Sequence, residues 1–392
     1  MAKKVRLANK FLIGAGVNLY GKTTFKRYVK LIADDTLKKL KPPFVVVANH
    51  ASFADVGGLI MSMYPTCANF VISVTQLVQW PSIIKHFGVL PKKQFTVDTS
   101  LVRDIKYVLS KNRPVVIYPE AKLSVVGTLN IIKPAIAKLV KMLKVPLVTA
   151  RFNGTYLHKP RWTKTKRKLP VRLDAKVAVT AEEIDTISVQ EIHDRIVQNL
   201  SCDDYAYQLE NNIEIDVPDL VEGLENILYK CPQCGRDFTM RGHGHELSCS
   251  KCGHTVTQNK LGQLVGGRFD KVTDWYQWQK ECVRDEISNP DYRFDGLFRA
   301  EKLVGKKYRD LGQAEIVHDK EGITATFANQ TIHYKAGAIY TLSFNNDYVY
   351  LPTPEAVYRF KRLSDVGCTT KLNLAVEQQA FLQEWGKQIA QK

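Results

Sequence analysis

At 392 residues, 45% of them apolar and with ordinary glycine and proline content, the chain has room for two or three folded units. These proportions exclude a collagenous or wholly disordered polymer, and no run approaches the roughly 18 uninterrupted apolar residues that a spanning helix needs. The formal net charge of +17 is held unevenly, with +25 on residues 1–180 and −8 on the remainder. A basic half of this kind attracts phosphates, whether on an anionic lipid surface or in nucleic acid.

The chain opens with positive charges around an apolar run. Lys10 interrupts that run, and Lys22, Lys26, Arg27 and Lys30 stand where a secretory leader would have small residues before its cleavage site. Residues 5–40 therefore read as helical, and 1–40 as N-terminal helices that associate with a membrane. The same amphipathic face would also serve to pack against the following domain. The expected setting is a cytoplasmic protein, peripheral on the cytoplasmic face of a membrane.

From Phe44 the pattern becomes α/β. Short apolar runs at 44–48, 68–74, 114–118 and 146–152 read as buried strands. Helices are predicted through Leu59–Met61 and over Ile132–Leu143, so the fold class is a mainly parallel sheet flanked by helices. The segment Lys159–Lys168 holds six cations and Trp162. It predicts an exposed hairpin or loop, suited to an anionic interface or simply solvated. An acidic, helix-prone stretch over Glu182–Glu210 closes a first domain spanning 41–215.

Eight cysteines in a chain this long do not make a disulfide scaffold. Cys67, Cys202, Cys282 and Cys368 are scattered and read as small core residues. Cys231-Pro-Gln-Cys234-Gly and Cys249-Ser-Lys-Cys252-Gly are two Cys-x2-Cys knuckles separated by 14 residues. That spacing predicts a zinc ribbon over 225–260, with four thiolates closing a structural tetrahedral site. His243, His245 and His254 are nearby alternative ligands and read as exposed loop residues. A helical connector over 266–305 follows, with Trp275, Tyr276 and Trp278 as packing residues. From about Gly312 short strands with turns at Lys320-Glu-Gly and Asn345-Asn-Asp alternate up to a final helix over Leu372–Ala390. Residues 306–392 therefore read as a β-rich domain of pleckstrin-homology-like shape with a C-terminal helix.

Asn49-His50-Ala-Ser-Phe-Ala-Asp55 directly follows the first buried strand, where α/β sheets open their ligand crevices. A carboxylate at Asp55, in the first turn of the next helix, can fix one nitrogen of His50 and leave the other as a base. The same spacing also suits a helix cap beside a satisfied histidine. A second strand-to-loop transition reads Tyr118-Pro-Glu120-Ala-Lys122-Leu123-Ser124, followed by Lys133 and by Val145–Thr149.

With this ordered set, residues 40–200 resemble the glycerophospholipid acyltransferase superfamily, which includes the lysophosphatidic acid acyltransferases. Asn49, His50 and Asp55 match its Asn-His-x4-Asp motif. Tyr118–Ser124 answers its Phe-Pro-Glu-Gly-Thr-Arg-Ser motif, and Val145–Thr149 its Val-Pro-x-Val-Pro motif. The chain departs from the family at the arginine associated with the acceptor phosphate, where Leu123 stands beside Lys122. The intermediate block is only loosely present, as Gly88-Val-Leu-Pro-Lys92-Lys93-Gln94.

The resemblance implies direct acyl transfer from a thioester, acyl-CoA or acyl carrier protein, to the hydroxyl of a lysolipid. His50 would be general base and Asp55 its orienting partner. Asn49, Lys92, Lys93, Glu120, Lys122 and Lys133 would bind substrate. The implied partners are an anionic membrane surface, the lysolipid and an acyl carrier protein, with no nucleic acid. Two other readings fit the residues: a nucleic-acid-binding protein working through the ribbon, and a non-catalytic lipid-binding relative.

Overall fold

The structure, a computed structural model, describes residues 5–25, 27–77, 87–93, 98–353 and 355–390. The chain divides into two compact units, residues 1–160 with 166–213, and residues 161–165 with 214–392.

The first unit runs α1 (Lys10–Tyr20), a π-helical turn (Gly21–Phe25), β1 (Val29–Ala33), α2 (Thr36–Lys39), β2 (Val45–Ala48) and α3 (Phe53–Met63). It continues β3 (Asn69–Ser73), α4 (Val74–Leu77), β4 (Val89–Lys92), α5 (Thr99–Ser110), β5 (Val115–Ile117), α6 (Ala135–Leu143) and β6 (Leu147–Asn153). Then follow α7 (Thr155–His158), β7 (Leu169–Val179), α8 (Val189–Leu200) and α9 (Asp204–Glu210). The seven strands order as β1-β7-β6-β2-β5-β3-β4, with every neighbouring pair parallel except β6 and β7. The predicted parallel sheet with flanking helices is thus present.

All four residues of β2 are buried, as a β-branched run without alternation requires of a strand covered on both faces. Val45 and Val47 share one core with Leu101 and Ile105 of α5, Ile136 and Val140 of α6, and Ile192 and Ile196 of α8. Helix α3 instead lies against β6, so closely that a Cβ at Gly58 would sit 2.8 Å from the Phe152 ring. Because β2 and β5 are parallel neighbours, the segments after them emerge at the same edge of the sheet.

Two expectations for this half need correction. Residues 5–40 are not helical throughout, because Val29–Ala33 pairs in parallel with Leu169–Leu173 as an edge strand. Lys159–Lys168 is a loop, with Lys159, Lys164, Lys166 and Lys168 exposed, but it is not exposed throughout. Trp162 and Arg167 are buried, and residues 161–165 belong to the second unit, where a Cβ at Gly223 would lie 2.2 Å from the Trp162 carbonyl oxygen.

The second unit begins with the ribbon strands β8 (Met240–His243), β9 (Glu246–Cys249), β10 (Thr255–Gln258) and β11 (Leu264–Val265), ordered β11-β10-β9-β8. Helix α10 (Val272–Ser288) follows, burying Trp275 and Tyr276 as expected of packing residues. It then forms β12 (Arg293–Val304), β13 (Lys307–Asp319), β14 (Gly322–Phe327), β15 (Gln330–Lys335), β16 (Ser343–Phe344), β17 (Tyr348–Pro352), β18 (Val357–Arg362) and α11 (Cys368–Ala390). These strands form an antiparallel sheet of order β15-β14-β13-β12-β18-β17-β16. The order is two meanders joined through β12 and β18, with the helix last, so the C-terminal part is β-rich with a final helix as expected. The Tyr334 hydroxyl of β15 donates to the Pro352 carbonyl of β17, so the two meanders also meet away from their shared ladder.

The span 266–305 is not a helical connector throughout, since Arg293–Val304 is the central strand of this sheet. Phe294, Gly296, Phe298 and Ala300 face inward there, and two of these four are too small to register as an apolar alternation. Helix α10 also holds the ribbon. Trp275 Nε1 donates to the Lys230 carbonyl at 3.0 Å, and Gln279 accepts from Lys230 N and donates to Ile227 O, both at 2.9 Å. Lys230 and Lys371 each pair with both Asp237 and Glu286.

Candidate active site and metal centre

The chain leaves β2 at Ala48 and enters α3 through Ser52, whose side chain caps the helix by accepting from Ala54 N at 3.1 Å. Asp55, the third residue of α3, turns its Oδ2 back over this turn. That one oxygen accepts from Ala51 N at 2.7 Å and Ser52 N at 2.9 Å, and meets His50 Nδ1 at 3.1 Å. The carboxylate is fully buried while the imidazole keeps 19% exposure. A carboxylate on Nδ1 selects the tautomer that carries its proton there, which leaves the Nε2 lone pair on the opposite edge of the ring. The cap and the base-orienting contact, which the sequence left as alternatives, are the same carboxylate.

The loop after β5 grips the histidine from the other side. Glu120 Oε1 accepts from His50 N at 2.5 Å, and Ser124 N donates to His50 O at 2.7 Å. Glu120 Oε2 in turn accepts from Asn130 N and Asn130 Nδ2, at 2.7 and 2.8 Å. Burial pushes the Glu120 carboxyl up to about 8, against three N–H donors that favour its charged form. Asp204, behind the same loop, accepts from Tyr156 N at 2.8 Å, and burial raises it to about 7. The Tyr118 ring stacks on the imidazole with centroids 4.2 Å apart and planes inclined by 25°, and the half-exposed Phe53 meets it edge-on.

The residues expected to bind substrate separate into three groups. Asn49 is buried and its amide is spent on the neighbouring strand. Its Oδ1 accepts from Phe152 N at 2.7 Å, and its Nδ2 donates to Phe152 O at 2.9 Å and to the Cys202 sulfur at 3.3 Å. It therefore clamps β6 to β2 and presents nothing to a ligand. Glu120 and the buried Lys122 lie in the loop that touches His50, and Lys133 is half-buried just before α6. Lys92 and Lys93 stand at the end of β4, three strand positions from β2, or about 14 Å at ordinary strand spacing. Gln94, the last residue of that block, lies outside the described residues. Ala121 occupies left-handed backbone at φ 62°, where the family motif has glycine.

Sequence reasoning missed Asn130 and the stacking role of Tyr118. No spacing rule announces either, because both contacts arise only when separate strand ends converge.

The four ribbon cysteines converge as predicted, with their sulfurs all within 4.8 Å of one another. A tetrahedron of Zn–S bonds near 2.3 Å has edges of about 3.8 Å. Cys231 and Cys252 lie 3.7 Å apart, and Cys234 and Cys249 3.9 Å. Both knuckles fold alike: Gly235 N donates to Cys231 O and Gly253 N to Cys249 O, at φ 70° and 74°. The donor set and its spacing fit a tetrahedral metal ion. No histidine joins the cluster. His243 is exposed, while His245 differs from the expected free loop residue because its Nε2 engages the Val217 carbonyl at 2.8 Å.

Comparison with known proteins finds a family match over the motif residues. The family described as Acyltransferase matches residues 17–153. No curated protein matches the chain. Among solved structures, the chain is similar to the 1-acyl-sn-glycerophosphate (LPA) acyltransferase PlsC from Thermotoga maritima. That likeness has 18% identity and a TM-score of 0.42, over 53% of this chain and 83% of that one. The match to the Acyltransferase family spans residues 17–153, the part of the chain that holds Asn49, His50, Asp55 and Glu120.

Proposed function

We propose that the enzyme moves a fatty acyl group from a thioester, acyl-CoA or acyl carrier protein, to the hydroxyl of a lysolipid. The acceptor would be 1-acyl-glycerol-3-phosphate or a related lysophospholipid or lysoglycolipid. One observation carries this reading: a buried carboxylate holds Nδ1 of a histidine whose ring is still partly exposed at the mouth of a parallel sheet. Nε2 takes the acceptor's hydroxyl proton as its oxygen bonds to the thioester carbonyl carbon. The C–S bond then breaks, and the imidazolium returns the proton to the departing thiolate. Asp55 keeps the ring oriented and balances its transient charge. Glu120 sets the His50 backbone, and Lys122, with Lys92, Lys93 and Lys133, supplies positive charge towards an acceptor phosphate.

Membrane docking belongs to the same proposal. Phe11 and Leu19 of α1 are 83% and 68% exposed, beside the cations of the N-terminal segment. No helix among the described residues is long and apolar enough to cross a membrane. A face of this kind suits the surface of an anionic membrane on its cytoplasmic side, where a lysolipid resides. The ribbon would hold a structural zinc ion through Cys231, Cys234, Cys249 and Cys252, which orders the knuckles and takes no part in transfer.

The test is acyl transfer on anionic vesicles, from acyl-coenzyme A and from acyl carrier protein, to lysophosphatidic acid, other lysophospholipids and a lysoglycolipid. Product that vanishes in His50→Ala supports the reading and names the acceptor. Product that survives His50→Ala removes the histidine from the chemistry.

A further inference from the structure

The contacts around His50 constrain more than its hydrogen bonds require. Its backbone is held on both sides, by Glu120 at N and by Ser124 at O. Its Nδ1 is held by Asp55. A backbone anchor and one in-plane hydrogen bond still leave the imidazole free to rock about the axis through Nδ1. The Tyr118 ring removes that freedom by lying on one face of the imidazole, 4.2 Å away and 25° from parallel. The Tyr118 hydroxyl makes no hydrogen bond and is buried, so it neither reaches solvent nor donates to a neighbour. What Tyr118 contributes at this site is its ring.

We propose that Tyr118 is a positioning residue for His50: its ring fixes the imidazole plane and stabilises the imidazolium that forms during transfer. The proposal rests on His50 acting as the general base. The physical basis is twofold. A base whose lone pair is pre-aimed loses less to misorientation in the transition state. A cation over the face of an aromatic ring is attracted by its quadrupole, and imidazolium is such a cation while imidazole is not. The stack therefore favours the charged form that appears only after proton transfer, and its loss should lower kcat and leave KM unchanged.

The experiment compares Tyr118→Phe, which keeps the ring, with Tyr118→Leu and Tyr118→Met, which do not. Two non-aromatic variants are used so that a folding failure in one leaves the other. Transfer from palmitoyl-coenzyme A to lysophosphatidic acid gives kcat and KM, and an NMR titration of the His50 imidazole gives its midpoint without reference to turnover. Tyr118→Phe should keep both values and unfold no earlier than the parent, because it deletes only an unpartnered buried hydroxyl. The non-aromatic variants should lose about tenfold in kcat, with the His50 midpoint lower than the parent's. In a His50→Ala background Tyr118→Leu should cost nothing further.

An unchanged kcat and His50 midpoint in folded Leu or Met variants would overturn the proposal. So would a Phe variant that falls as far as Leu, since the hydroxyl would then be the active part. Failure of the base assignment itself looks different: His50→Ala would keep turnover, while the titration would still report whether the stack shifts the imidazole.

Discussion

In the first unit the histidine site is assembled from places far apart in the chain. His50 and Asp55 follow β2, Glu120 and Tyr118 follow β5, and Asn130 lies beyond them. In the ribbon the four thiols arrive as two copies of one local turn, each a cysteine pair closed by a left-handed glycine. The first arrangement depends on the register of a parallel sheet. The second depends on little beyond its own loops and the ion they would share. One site should therefore be sensitive to its framework and the other to its ligand.

The largest expected effect is on the chemistry. His50→Ala should cost on the order of 10²–10⁴ in kcat with folding unchanged, measured by acyl transfer and thermal unfolding together. Asp55→Ala should cost kcat too, and should also lower the stability of α3 by about 1 kcal/mol, because the same oxygen caps the helix. If the two variants were equally stable, the shared role of Asp55 would be wrong.

Next in size is the ribbon. Chelating its ion, or changing Cys234→Ser, should unfold the knuckles, since structural zinc sites supply folding free energy directly. Transfer by the first unit should persist. Immediate loss of turnover in protein whose unfolding profile is otherwise intact would contradict the separation drawn between the two sites.

A smaller effect concerns pH. Glu120 and Asp204 titrate near 8 and 7 in the folded chain, well above ordinary carboxyl values, because burial disfavours their charged forms. The native state therefore holds more protons than the unfolded one from about pH 4 up to those values, and stability falls as pH rises through that window. The slope should approach about 1.4 kcal/mol per pH unit for each group in mid-window. Denaturation midpoints from pH 5 to 8 test this, and a flat or rising trend in the first unit would refute it. The smallest change should come from Ala121→Gly, which relieves left-handed backbone and should add about 1 kcal/mol to stability.

The same contrast explains what could be read from the sequence. The cysteine knuckles and the His50–Asp55 pair are local, so spacing predicted the knuckles and offered the pair as a cap or an orienting contact, both of which Asp55 provides. The buried strands were legible because β-branched runs need cover on both faces. Strand β1 was not, since Val29–Ala33 becomes a strand only by pairing with residues about 140 positions later. Asn49 looked like a substrate contact for a similar reason. Its partner, Phe152, is 103 residues away, and nothing in the motif says that its amide would be consumed by a backbone. The basic segment was half legible: its lysines are exposed as their charge suggested, whereas Trp162 and Arg167 are buried.

That buried indole bears on how the protein is made and how it can be cut. Residues 161–165 sit in the second unit, yet the chain returns afterwards to lay down β7, α8 and α9 of the first. During synthesis the Trp162 segment must wait for Gly223 and its surroundings, some 60 residues later, before it has a home. A fragment ending at residue 213 would keep the whole parallel sheet but strand residues 161–165, which belong to the second unit, in the middle of its sequence. No single cut releases either unit intact, so a fragment of the first unit would need residues 161–165 rebuilt as well as the tail removed.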